Sequence, residues 1–164
     1  MKYTDTQIVF RELPDETTLA INISGCPLRC EGCHSPYLRD NIGISITKEV
    51  LEELIEKNKG ITAVCFMGGD AQPLGITACA KWLKYKYPEL KIGWYSGREQ
   101  LAIDIDLSYF NYIKLGPYNR LLGGLDSPTT NQRLYEVQMT REIDKNNNPI
   151  YGLVNITHKL QKSI

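Results

Sequence analysis

Apolar residues fall at every second position in "TTLAINISGC" (17–26), through Leu19, Ile21 and Ile23, which predicts a half-buried strand ending at Gly25 and Cys26. In "TKEVLEELIEKN" (47–58) the spacing changes to the helical one, with Val50, Leu51, Leu54 and Ile55 on one face and Thr47 as N-cap. The run "ITAVCFM" (61–67) is continuously apolar, of strand length, and stops at Gly68 and Gly69. Helical spacing returns in "ITACAKWLKYKY" (76–87), which Pro88 closes, and "LKIGWYSG" and "NYIKLGP" predict two more buried strands. Alternating strands and helices predict parallel βαβ units. A closed eight-unit barrel needs roughly 200 residues or more. The 164-residue chain is therefore expected to form one α/β domain over 1–164, an incomplete βα barrel of parallel strands. In such folds the ligand site lies beyond the carboxyl ends of the strands. Cys26–Cys33, Gly68–Asp70, Ser96–Gly97 and Lys114–Pro117 all follow predicted strands, so they are expected to converge on one rim. Residues 119–133 and the polar "DKNNNP" (144–149) read as loop and turn.

Charge changes this picture only by exclusion. Nineteen basic and nineteen acidic residues balance, which removes the electrostatic case for a nucleic-acid or membrane-surface partner. No apolar run approaches the roughly 20 residues of a membrane span. The opening "MKYTDTQIVFRELPDE" lacks the apolar stretch of a signal peptide, so a cytoplasmic location is expected. Thiols stay reduced there, and clustered cysteines point to metal or catalysis rather than cross-links.

Three of the five cysteines stand in "SGCPLRCEGCHSPYL" (24–38), as Cys26, Cys30 and Cys33 in a C-x3-C-x2-C spacing. Thiolates this close on one loop can wrap a single iron–sulfur cubane, each binding a different iron and leaving the fourth open to a small molecule. Zinc is the alternative, and it requires a fourth ligand. His34 adjoins Cys33, a poor geometry for both to hold one ion, and His158 is distant in sequence. Buried core cysteines are a further alternative, against which stand Pro27, Arg29 and Glu31 in the same loop.

"GCPLRCEGCH" resembles the cluster loop of the radical S-adenosylmethionine superfamily. The surrounding chain is similar to the activating proteins of anaerobic ribonucleoside-triphosphate reductases, through "MGGD" (67–70), "WYSGRE" (94–99) and "YIKLGPYNRLLGGLDSPTTNQRLYEV" (112–137). It departs from relatives in Ser35 after His34, in Ala71 and Gln72 between Asp70 and Pro73, and in Lys114 where many have an acid. The resemblance implies a radical S-adenosylmethionine domain with a [4Fe–4S] cluster on Cys26, Cys30 and Cys33. It further implies reductive cleavage of S-adenosylmethionine to methionine and a 5′-deoxyadenosyl radical, which leaves a glycyl radical on the reductase. An electron donor such as flavodoxin or ferredoxin is implied as a second partner.

The same resemblance assigns cofactor contacts to Gly32, Cys33, His34, Gly68, Gly69, Asp70, Ser96 and Gly97. Gly68 and Gly69 would hold the methionyl amine with Asp70 steadying the turn; a bare glycine pair otherwise makes a tight turn. Ser96 and Gly97 would meet the ribose or carboxylate, and His34 would pack near the adenine. Lys114, inside an apolar strand, pairs either with a ligand carboxylate or with a buried acid. Asn131, Gln132 and Arg133 are ligand- or partner-facing, or solvated surface. Cys65, Cys79, Met67, Trp82 and Trp94 read as core. The loop 119–133, with Leu121, Leu122 and Leu125, is the expected docking surface for a protein partner. Activation of another glycyl-radical enzyme, a small-molecule enzyme of the deazapurine-forming type, and a non-catalytic metal-stabilised module remain alternatives.

Overall fold

In the computed structural model, which describes residues 1–161, the chain forms strands β1 (Lys2–Val9), β2 (Thr18–Ile23) and β3 (Ile44–Ser45), then helix α1 (Lys48–Lys57). Strand β4 (Ala63–Met67), helix α2 (Pro73–Lys86), β5 (Lys91–Tyr95), β6 (Tyr112–Leu115), β7 (Arg133–Ile143) and β8 (Pro149–Asn155) follow. One eight-stranded sheet takes the order β3-β1-β2-β4-β5-β6-β7-β8. The four strands at its centre, β2, β4, β5 and β6, run parallel. The flanks are antiparallel: β3 and β1 on one side, β7 and β8 on the other.

The α/β class stands, but the expectation of parallel strands throughout is corrected. A parallel pair requires a crossover, usually a helix. Such helices occur before β4 and before β5, and the repeat then stops. Between β5 and β6 there is only the single 3-10 turn Leu107–Tyr109. Beyond β6 the chain returns through a loop and pairs antiparallel as β7, then folds back as β8 around a turn where Asp144 accepts from the backbone N–H groups of Asn146 and Asn148.

The helices start where side chains can satisfy or dispense with free N–H groups. Thr47 Oγ1 accepts from the Val50 N–H at 3.3 Å, and α2 opens on Pro73, three residues before the expected start. Strand β4 shows how the sheet distributes its core. Val64 and Phe66 join the large cluster with Leu83, Trp94 and Ile113. Ala63 and Cys65 point the other way, to a smaller cluster with Leu13, Leu134 and Ile156. Cys65 is fully buried, as expected of a core cysteine, and desolvation pushes its thiol far above the ordinary range.

Candidate metal centre

Because β2, β4, β5 and β6 are parallel and in register, their carboxyl ends fall on one line. Asn22 stands beside Met67, Met67 beside Tyr95, and Tyr95 beside Lys114. These four residues line a cavity of about 220 Å³, and Cys26, Cys30 and Cys33 close it from the loop side. The convergence expected from the order of elements is present here. Met67, expected in the core, packs against the smaller core cluster and also forms part of this wall. Lys114, Tyr95, Met67 and Cys33 also line an adjoining cleft of about 1010 Å³, so the two spaces share a wall.

The rim is an interlocked polar network. Asp70 is buried, and its carboxylate accepts from Ser96 Oγ at 2.5 Å and from the Gly97 N–H at 3.2 Å. Arg98 Nε lies 3.7 Å from the same carboxylate, and its guanidinium donates to the Asp70 carbonyl at 2.7 Å. Arg98, in "WYSGRE", has no role in the sequence reading; its signal is a cation three residues past the end of the buried strand β5. Asp70 thus steadies the turn, while Ser96 is buried with its hydroxyl already engaged.

Gly68 lines the small cavity with φ +93°, a conformation that favours glycine. Its carbonyl accepts from Trp94 Nε1 at 2.7 Å, so only the second lone pair is open to a ligand. Trp94 is core, as expected, and also fixes the glycine turn. Gly69 is buried beside Ile76, whose Cδ1 would lie 2.5 Å from an added Cβ. Its lack of a side chain admits α2. Gly97 lines the cavity, and an added Cβ there would meet Leu28 of the cysteine loop at 2.4 Å.

Lys114 is buried, and its ammonium donates to the carbonyls of Gly116 at 2.6 Å and Ser96 at 3.3 Å. Desolvation, the largest influence, brings its pKa down to about 8 against the opposing attraction of Asp70 and Cys30. Gln132 is buried and faces both spaces. Asn131 and Arg133 bond instead to the backbone of Pro117, Thr130 and Gln132. In the loop 119–133, Leu121 is 91% exposed, while Leu125 packs against the smaller core cluster.

The cysteine loop is held differently. No regular element runs from Gly25 to Ser35, and the three thiols are free and half-buried. Cys26 Sγ turns to the Leu28 carbonyl at 3.8 Å, and burial pushes its thiol up. Gly32 is exposed with φ +70° against Arg120. His34 packs against Tyr118 with the rings tilted at 51° and centroids 4.5 Å apart, and lines the larger cleft. Among the described residues, no three His, Cys, Asp or Glu side chains are gathered closely enough to hold a metal. The donor set nevertheless fits a three-thiolate cluster. Three free thiols share one cavity wall, the neighbouring His34 lines the larger cleft and not this cavity, and Asp70, the carboxylate in that wall, is committed to the rim.

The family comparison agrees with this donor set. Residues 17–111, more than half of the chain, match the model of the 4Fe-4S single cluster domain. The chain belongs to this family. No curated protein and no solved structure matches it. The matched segment of this 4Fe-4S domain holds the cysteine loop, Gly68–Asp70 and Ser96–Gly97; Lys114 and the loop 119–133 lie beyond it. Zinc recedes as the alternative. Among the described residues no helix is long and apolar enough to cross a membrane.

Proposed function

We propose that this 4Fe-4S domain is a radical S-adenosylmethionine activating enzyme that installs a glycyl radical on an anaerobic ribonucleoside-triphosphate reductase. One observation carries the reading: exactly three thiols share a cavity with a glycine turn at the ends of parallel strands, and that cavity borders a larger open cleft. When bound, the cluster supplies one electron to S-adenosylmethionine, giving methionine and a 5′-deoxyadenosyl radical, which takes a Cα hydrogen from a glycine of the partner.

Each part of the chain has a role in this reading. Cys26, Cys30 and Cys33 would hold the cluster, which would meet the methionyl group of S-adenosylmethionine. Gly68 brings bare backbone to the amine. Asp70, Ser96 and Arg98 keep that turn in place, because each buried polar atom is tied to the next. Lys114 offers an ammonium to a carboxylate at the shared wall. The larger cleft, at about 1010 Å³, admits a peptide segment that excludes water from the radical.

The test is anaerobic incubation of the reconstituted chain with S-adenosylmethionine, a low-potential reductant and candidate reductases, followed by electron paramagnetic resonance. A glycyl signal on the anaerobic ribonucleotide reductase is expected. Consumption of a small molecule with no protein radical selects the deazapurine-type alternative. Colourless, iron-free protein selects the non-catalytic module.

A further inference from the structure

Arg39 ends the 3-10 turn Pro36–Arg39 that follows the cysteine loop. The backbone on either side of it secures the loop's entry, where the Cys26 N–H donates to the Leu38 carbonyl at 2.8 Å and the Gly25 N–H to the Asp40 carbonyl at 3.1 Å. Its side chain reaches back across the loop, and one terminal nitrogen donates to the Cys30 carbonyl at 3.1 Å. Arg39 lines the same small cavity as the three thiols. Its Nε–H is buried and has no acceptor among the described residues.

Such an arrangement is costly without a partner. A buried donor left unpaired is destabilising, more so when it is charged, and a guanidinium cannot shed its proton. The carboxylate in the cavity wall does not serve it, because Asp70 is engaged by Ser96, Gly97 and Arg98. Asp5, across the sheet edge, is engaged by Thr4, Asn22 and Tyr37. Neither carboxylate serves as its acceptor, so the position suits an acceptor supplied by the group that the three thiols hold. Anionic sulfur is such an acceptor, and hydrogen bonds to cluster sulfurs raise the reduction potential.

We propose that Arg39 donates its Nε–H to the sulfur edge of the cluster and thereby favours the reduced state. The step is a one-electron reduction with no proton transfer; the electron comes from an external low-potential donor, dithionite in the test. The added negative charge strengthens the guanidinium's hydrogen bond, so removing the guanidinium disfavours the reduced form. The inference rests on the cluster sitting on Cys26, Cys30 and Cys33, and on neither S-adenosylmethionine nor the reductase.

The test uses the full chain, reconstituted anaerobically with iron and sulfide and poised at one fixed potential with dithionite and mediators. Iron content and the reduced-to-oxidised ratio are read without S-adenosylmethionine. Arg39→Met is expected to keep its iron while that ratio falls about tenfold, equivalent to about 59 mV for one electron. Arg39→Lys, which keeps the charge but not the fork, should fall by less. Arg29→Met removes an equal but exposed charge from the same loop and should change the ratio less than about twofold. An unchanged ratio in iron-loaded Arg39→Met overturns the proposal, even with weaker S-adenosylmethionine binding, which would assign the N–H to that ligand. An equal fall in Arg29→Met also overturns it. Should Arg39→Met fail to load iron, Arg39→Lys decides, and a wild-type ratio there, or loss of iron from both, reduces Arg39 to a loop brace. Iron-free wild-type protein overturns the cluster assignment itself, a failure that the iron content alone reveals.

Discussion

At the rim of the parallel strands Asp70 and Ser96 are buried, and their polar atoms bond to Gly97 and Arg98. Across the same cavity, Cys30 and Cys33 sit half-exposed on a segment without regular structure, closed by a few backbone bonds and the Arg39 side chain. Two walls of one cavity are thus built on different terms. The rim is assembled by folding alone, since strand register places its members and burial makes their hydrogen bonds strong. The loop holds donors that are not yet gathered. On the proposed reading, metal binding would do there what the core does at the rim, coupling the release of thiol protons to closure.

The sharpest break in that comparison is at the thiols. Cys30→Ala should abolish stable cluster assembly, with iron content falling to background. Cys65→Ala and Cys79→Ala should retain wild-type iron, since Cys65 lies in the smaller core and burial pushes Cys79 up to about 11. Full iron loading in Cys30→Ala would remove the loop from the metal site.

The rim should respond in the opposite currency. Asp70→Ala leaves the Ser96 hydroxyl and the Gly97 N–H without their acceptor. It should cost about 3 kcal/mol in denaturant-induced unfolding; the half-exposed Arg98 adds little to that. The cluster should still assemble at a temperature where the variant is folded. A variant as stable as the wild type would mean that the network is incidental.

Lys114 adds a pH signature to the rim. Burial lowers its pKa to about 8 from 10.5, so between those values the unfolded chain binds the extra proton. Stability therefore rises with pH through this window, and the full cost of the buried charge is present below it. Against Lys114→Met, the wild type should gain about 2 kcal/mol between about pH 7.5 and about pH 9.5. A pH-independent difference between the two proteins would show that Lys114 stays charged in the folded chain across this window, its pKa not lowered.

The smallest effect tests the seam between the walls. A Cβ at Gly97 would stand 2.4 Å from the Leu28 Cδ1. Leu28 can move, so Gly97→Ala should change the melting temperature little yet lower cluster occupancy about two- to fivefold by displacing the loop, in line with an overpacking cost of about 1 kcal/mol. Loss of melting temperature with normal occupancy would place the strain in the sheet instead.

Most of the central architecture was legible in the chain. Alternation marked β2, the unbroken apolar run marked β4, and helical spacing with Thr47 marked α1, because these segments bury faces whose periodicity is written locally. Strand β1 was not legible. In "KYTDTQIV" only Tyr3 is buried, so near the sheet edge the pattern carries little apolar signal. The C-terminal hairpin left a turn signal at "DKNNNP", but nothing in that turn says which strand β7 joins.

The local spacing of Cys26, Cys30 and Cys33 marked the candidate metal loop by itself and left zinc open until the family match, because three thiols within one short loop need no fold to be neighbours. The glycine pair was different. Both residues end the same strand, yet Gly68 faces the cavity while Gly69 makes room for Ile76, a choice set by where α2 packs. Ser96 and Asp70 are 26 residues apart, and their hydrogen bond exists because parallel register puts β4 and β5 side by side. The unpaired Nε–H of Arg39 is likewise visible only in the folded chain. Which donors are buried without acceptors depends on distant segments closing over them, and no stretch of sequence carries that information alone.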